Sequence, residues 1–329
     1  MRRRDFIALV SVAAAWPFMA RAQQPNKVRR IGVLMGLPET DPEAKALLAA
    51  FTDALSAMGW VERRNVRMDV RWAARIDLMR AFAKELIELR PDVILSNSTP
   101  ATTALKRETS TVPIVFAVVA DPVGSRFVAD LAHPGGNITG FAVLEPTMGG
   151  KWVEMLREIV PGVKRVTLMF NPDTAPYVNS YFMPSFETTA RSFNLTPTAA
   201  PVHNEAEIET AITSLAREPG GALLVAPDNF MDIHHASIVL EAARNKVPAI
   251  YQSPVSARDG GLLAYGADFR DVFHRSASYV DRILRGAKPS ELPVQLPLKY
   301  FLIINLRAAR ALGLTIPPSL LARADEVIE

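Results

Sequence analysis

Short apolar runs alternate with longer amphipathic segments along almost the whole chain, and the alternation starts afresh near residue 149. Apolar runs bounded by turn residues fit buried strands; stretches with apolar residues every three or four positions fit helices packed on them. Strands are expected at 30–35, 66–72, 93–96, 113–119 and near 138–143, with helices at 42–58, 77–89, 101–108 and a short one from Gly124. The second round reads as helix 149–159, strand 164–170, helix 179–193, strand 195–201, helix 205–217, strand 222–226, helix 230–245 and strand 247–251. A strand that returns to its starting end through a helix pairs in parallel, so both rounds predict mostly parallel sheets flanked by helices.

The last part is less regular: a glycine-rich strand at 260–266, a helix at 269–285, an extended segment at 293–297, a strand at 300–304, a helix at 306–312 and a short helix after Pro317-Pro318. Two β-α blocks and a returning tail predict an α/β fold of two doubly wound parallel-sheet lobes joined by a multi-strand hinge. The first lobe is expected to span 28–142 plus about 260–292, and the second 143–259 plus about 298–329. The crossings are expected near 140–146, 257–261 and 293–297. A chain of 329 residues exceeds what one hydrophobic core usually serves, which also favours two domains.

Residues 1–22 have the order of a secretory signal peptide. Arg2, Arg3 and Arg4 make a basic start, 6–18 is apolar apart from Ser11 and Pro17, and Ala20-Arg21-Ala22 is a small-x-small cleavage site. The run Arg3-Arg4-Asp5-Phe6-Ile7 also resembles a twin-arginine signal, so Sec and Tat export both stay open. Cleavage after Ala22 would release a periplasmic protein beginning at Gln23. The chain has no cysteine, which excludes a lipid-bearing leader cysteine, disulfides and thiolate metal sites. Without the leader, basic and acidic residues balance, so no nucleic-acid footprint is expected.

In open parallel sheets, ligands sit beyond the carboxyl ends of the strands. The loops there begin at Leu37 after the first strand, at Ser98 and Thr99 after the third, and at Ala120 and Asp121 after the fourth. Thr99 before Pro100 suits a helix start, where free amides and hydroxyls can hold an anion; ordinary helix capping explains the same residues equally well. In the second block the equivalent positions hold Asn171, Asp228 and Tyr251, and Tyr265 closes the glycine-rich strand. Asp228 can take a ligand ammonium, or it can cap the helix that follows; Asp121 has the same two roles open. The sequence contains no dinucleotide or P-loop fingerprint, no nucleophile elbow and no zinc-protease motif, so no catalytic residue, metal or cofactor is expected.

The run Pro113-Ile114-Val115-Phe116 through Ala120-Asp121-Pro122-Val123, followed by His133-Pro134-Gly135-Gly136-Asn137-Ile138-Thr139-Gly140, resembles the ABC-transporter substrate-binding proteins related to bacterial tryptophan/tyrosine-binding receptors. Ile31-Gly32-Val33-Leu34, Pro91-Asp92-Val93-Ile94 and Tyr265-Gly266 follow the expected order, so the resemblance spans essentially the whole mature chain. It implies a fold similar to ribose- and leucine-binding proteins, with one small molecule, an amino acid or related carboxylate, held at the hinge. It also implies delivery of this ligand to an ABC permease in the inner membrane, and the receptor is expected to be a monomer. By matching position, the ligand-facing loops would hold Leu37, Ser98, Thr99, Ala120, Asp121, Asn171, Asp228, Tyr251 and Tyr265. Gly36-Leu37-Pro38-Glu39 departs from the polar loop usual after the first strand. A ligand sensor for another membrane partner, or an exported α/β enzyme, are the competing readings.

Overall fold

A computed structural model describes residues 28–143 and 145–329. The leader and its cleavage site lie outside the described residues. Two sheets organise the chain, one of five strands in the order β2-β1-β3-β4-β5 and one of seven in the order β12-β11-β10-β9-β8-β6-β7.

The first sheet contains β1 (Arg29–Met35), β2 (Val66–Trp72), β3 (Val93–Asn97), β4 (Ile114–Val119) and β5 (Ile138–Ala142), all parallel. Helices α1 (Pro42–Ala57), α2 (Ile76–Glu88) and α3 (Thr99–Glu108) make the crossovers. Every residue of β3 and β5 is buried, as strands covered on both faces must be. Asp41 sets the start of α1 by accepting the N–H groups of Glu43 and Ala44 at 2.8 and 3.3 Å. No helix forms at Gly124; the chain there is a series of turns after β4.

In the second sheet, β6 (Arg165–Phe170), β7 (Thr196–Pro201), β8 (Gly221–Val225), β9 (Ala249–Tyr251) and β10 (Leu263–Ala267) run parallel. Antiparallel β11 (Tyr300–Asn305) and then β12 (Glu326–Ile328) extend its edge. The helices of this block are α4 (Met148–Ile159), α5 (Val178–Tyr181), α6 (Met183–Ser192), α7 (Glu205–Ala216), α8 (Asn229–Ile233), α9 (His235–Arg244) and α10 (Pro254–Arg258). Two helices expected to be continuous are broken, one at Phe182 and one at His234. Pro184 lacks the N–H that a helix running through Phe182 would require.

The tail corrects the expected partition. The expected first lobe includes β10 with 260–292, yet β10 pairs with β9 and β11 in the second sheet. Only then does the chain cross, through Asp268, into α11 (Phe269–Leu284), which packs on α1 and on β3, β4 and β5. Asp268 caps α11 by accepting from Arg270 and Asp271, and Trp60 Nε1 ties α11 to the end of α1 by donating to Asp281 at 2.7 Å. The turn 257–261 therefore stays inside the second lobe, and the middle crossing is 267–269.

The other crossings leave β5 and return at 292–300. They lie side by side: Ala142 N–H donates to the Gln295 carbonyl at 2.9 Å, Gln295 N–H to the Gly140 carbonyl at 3.0 Å, and Asp268 N–H to the Lys299 carbonyl at 3.0 Å. Hydrogen bonds between neighbouring crossings tie the two lobes through one compact connection rather than a free tether. The lobes thus face each other across the carboxyl ends of β1, β3, β4, β6, β8 and β9. α12 (Leu306–Ala311) and α13 (Pro318–Leu321) complete the second lobe. Among the described residues no helix is long and apolar enough to cross a membrane.

Candidate ligand-binding site

The cleft between the lobes is built from strand ends. From the first lobe it takes Leu37, Asn97, Ser98, Thr99, Val118 and Ala120, with Phe269 of α11. From the second it takes Thr174, Tyr177, Asp228, Asn229, Asp232 and Gln252. A register shift in β4 between Ala117 and Val119 makes room for Val118, whose φ is +58°. Such a bulge turns a side chain that would otherwise lie on the sheet face, here into the cleft.

Ser98 has φ +83° and ψ 158°, a region that residues with a Cβ rarely occupy. Asn97 braces the turn by accepting the Gly36 N–H at 3.2 Å. The side chain of Ser98 makes no cap bond to α3, and its Oγ, in a residue only 6% exposed, has no partner. Four further buried atoms share that lack of a hydrogen bond: Asp69 Oδ2 and Asp271 Oδ2, which lie in ion pairs with Arg30 and Arg275 outside the cleft, and Asn229 Nδ2 and Gln252 Oε1, in residues 8% and 3% exposed. The last two join Ser98. All three residues line this cleft. Buried polar atoms are nearly always satisfied, so three orphans in one cavity mark where an outside molecule supplies the missing bonds.

Tyr177 stands between the lobes. Its hydroxyl donates to the Pro227 carbonyl at 2.6 Å and faces the Thr99 side chain of the opposite lobe. Burial, reinforced by Asp228, Asp232 and Asp121, raises its pKa well above the usual phenol range, so it works as a neutral hydrogen-bonding group.

Five of the nine expected residues, Leu37, Ser98, Thr99, Ala120 and Asp228, line the cleft. The other four do not line it. Asp121 accepts the Gly124 N–H at 2.7 Å and so serves the turn. Asn171 accepts the N–H groups of Asp173 and Thr174 through Oδ1, shaping the loop that carries Tyr177. Tyr251 packs among the outer-face residues of the second lobe and over Gly261, because Ile250 and Tyr251 alternate across β9. Tyr265 stacks on Tyr300 at 6.0 Å, beside the crossings. Asp228 borders the cleft but caps α8 and receives Asn171 N–H at 2.7 Å, Phe230 N–H at 3.0 Å and the Thr174 hydroxyl. Tyr177, Asn229 and Asp232 were missed because they lie past the strand ends, in the loop after β6 and within α8.

The comparisons with known proteins agree with this architecture. A family model for ABC transporter substrate binding proteins matches residues 38–328. A tyrosine-binding protein of Clostridioides difficile is 24% identical over 292 residues, covering 88% of this chain and 82% of that one. A conserved domain protein from Vibrio cholerae is 30% identical with a TM-score of 0.84, covering 92% of this chain and all (100%) of that one. An ABC domain from Streptococcus pneumoniae solved in complex with L-Trp is 26% identical with a TM-score of 0.84, covering 91% and 99%. The fold is shared with a sugar-binding protein of an ABC transporter from Bacillus halodurans, at 12% identity and a TM-score of 0.60 over 84% of this chain and 97% of that one. With a family match over most of its length and a cleft between two lobes to serve it, the chain belongs to the ABC transporter substrate-binding proteins, a family of receptors and not of enzymes.

Proposed function

We propose that this chain is an exported receptor that closes on one small molecule in the periplasm and delivers it to an ABC permease of the inner membrane. The observation that carries the reading is the convergence of three orphaned buried polar atoms, Ser98 Oγ, Asn229 Nδ2 and Gln252 Oε1, on the cleft between the lobes. The ligand is an amino acid or a related carboxylate. Ser98 Oγ, Asn229 Nδ2 and the first free amides of α3 offer donors to its anionic group, in a cavity that water can leave. Leu37, Val118, Val143 and Phe269 offer apolar wall to its remainder. Relatives described as tyrosine-binding or solved with L-Trp support this class. The basic, apolar and small-x-small order of residues 1–22 supports export.

The test uses the processed chain beginning at Gln23. A thermal-shift panel of the twenty L-amino acids and simple carboxylates, followed by calorimetry, should find one-to-one binding in the micromolar range or tighter. A panel in which nothing raises the melting temperature removes the ligand class.

A further inference from the structure

The second lobe has a gap in its helical cover, away from the cleft. After β10 the chain leaves for the first lobe as α11, so the crossover that follows β10 puts no helix on the second sheet. α9 and α12 border the space that remains, a cavity of about 400 Å³. That size suits a small molecule. Its walls carry Ala242 and Ala243 of α9, Ala249 of β9, and Ala308 and Ala311 of α12. Alanine side chains are too short to close the gap.

Tyr251, at the end of β9, lines this cavity and is 2% exposed. Among the described residues its hydroxyl has no hydrogen-bond partner, and burial alone raises its pKa. The other two buried tyrosines, Tyr177 and Tyr279, each donate to a main-chain carbonyl, of Pro227 and Pro293 respectively. A hydroxyl withdrawn from water without a partner costs about 1–3 kcal/mol, so the exception calls for a partner from outside. The Tyr251 ring is held over glycine: a Cβ on Gly261 would come within 2.6 Å of its Cε2, and Gly260 turns the chain there at φ +113°. The hydroxyl is thus a neutral donor on a fixed ring.

The remaining polar side chains around the cavity are engaged. Asn305 donates to the Ala257 carbonyl at 2.9 Å and accepts the Ala308 N–H at 3.0 Å. Arg258 donates to Glu326 at 2.6 Å, Asp259 meets His235 at 3.0 Å, and Arg307 donates to the main-chain oxygen of Glu329. An ionised group beside Tyr251 would lose its hydration with no counter-charge in return.

We propose that this cavity is a second ligand site, for a small uncharged molecule with an apolar body and one carbonyl or hydroxyl oxygen that accepts from Tyr251. It lies back to back with the cleft: Tyr251 faces outwards from β9, and Gln252, next in the chain, lines the cleft. The two cavities share no lining residue, so the outer one can fill whether or not the cleft is occupied.

The experiment uses three probes with one ring in common: acetophenone, ethylbenzene and benzoate. Each is titrated into isotope-labelled protein beginning at Gln23, and the amide signals of Gly260, Gly261 and Ala308 are followed by NMR. Acetophenone should shift all three saturably, with a dissociation constant on the order of a millimolar or tighter. Ethylbenzene, read from the initial slope of the shifts, should bind about five- to tenfold more weakly, and benzoate more weakly still. Tyr251→Phe should bring acetophenone down to the affinity of ethylbenzene, which itself should change less than about twofold. This variant should melt no lower than the wild type, since no bond inside the protein is lost. Ala243→Phe, at an exposed position of α9 that lines the cavity, should abolish the acetophenone shifts by filling the space. No saturable shift with acetophenone overturns the proposal, as do shifts that survive Ala243→Phe. So does an acetophenone affinity unchanged in Tyr251→Phe, or benzoate binding as tightly as acetophenone. A Tyr251→Phe variant that melts well below the wild type would mean the hydroxyl is already bonded within the protein, with the same consequence.

Discussion

Asp228 Oδ2 accepts the backbone N–H of Asn171 at 2.7 Å, so a side chain at the end of β8 pins the loop that leaves β6, its neighbour in the sheet. Its other oxygen takes Phe230 N–H at 3.0 Å and the Thr174 hydroxyl. One buried carboxylate therefore fixes the loop carrying Tyr177 and the start of α8 carrying Asp232.

Asp228→Ala should lower stability by about 2–4 kcal/mol, since it strands several donors at once. Urea denaturation at constant m-value checks this. Asp228→Asn should cost less stability, and it should weaken the ligand less than Asp232→Asn does, because Asp228 is committed to internal donors. The opposite order of affinities would make Asp228 the carboxylate that meets the ligand.

This distinction marks how far the sequence could be read. The β-α alternation predicts β1 to β9, while β12 has no counterpart in the expected elements, and the strand-end rule located Ser98, Thr99 and Asp228 because such positions must face the cleft whatever the side chains do. The rule does not say which way the last strand residue points, and Tyr251 points to the outer face. Nor does it reach one turn into a helix, where Asp232 sits, or past a strand to Tyr177. β10 was misplaced because its partners, β9 and β11, are set by pairing between distant segments and not by its own composition. The break at His234 escaped notice because 230–245 keeps an apolar face across it.

The stability of the ligand-free protein should fall as pH rises from about 4 to about 7. Burial raises Asp228 to about 6 and Asp232 to about 7, against 3.8 for an ordinary aspartate. Across that window the folded chain binds more protons than the unfolded one, so each step up in pH favours unfolding. Glu207 and Glu326 are shifted the other way, held low by His203 and Arg258, and contribute below this window. Melting curves from pH 4.5 to 7.5 should slope downward, and Asp232→Asn should flatten them. An unchanged slope in the variant would show that Asp232 does not titrate there.

Ligand binding should run the same linkage in reverse. If the amino group of the proposed ligand meets Asp232, it expels the proton there, so affinity should rise with pH towards 7 and then level off. Calorimetry in two buffers of different ionisation enthalpy should show net proton release near pH 6. Proton uptake, or none, would mean the bound group is not cationic.

Gly36 should control closure. Its N–H is held by Asn97, and a Cβ there would overlap Ser98 Oγ and come within 2.9 Å of Asn229 Oδ1 from the opposite lobe. Gly36→Ala should therefore weaken binding about tenfold or more by opposing the closed arrangement. Small-angle scattering should show the wild type contracting on saturation with its ligand and the variant contracting less. Equal contraction would show that Asn229 can shift at little cost.

Tyr177 offers the most direct measure of contact between the lobes. Its hydroxyl donates to the Pro227 carbonyl at 2.6 Å, and its phenol oxygen faces the Thr99 side chain at the start of α3. The bond lies within the second lobe, and the approach to Thr99 crosses the cleft. Tyr177→Phe removes both, Thr99→Val only the polar approach across the cleft. Each variant should weaken ligand binding about three- to tenfold, because a polar contact made only in the closed arrangement adds to the free energy of closing. Tyr177→Phe should also lower unfolding stability by about 1 kcal/mol through the stranded Pro227 carbonyl, and Thr99→Val should not. The double variant should bind no more weakly than Tyr177→Phe alone, since the crossing contact can be lost only once. Calorimetry on the four proteins reads the cycle. Additive losses would mean that the two side chains act on the ligand separately and that the lobes do not meet through them.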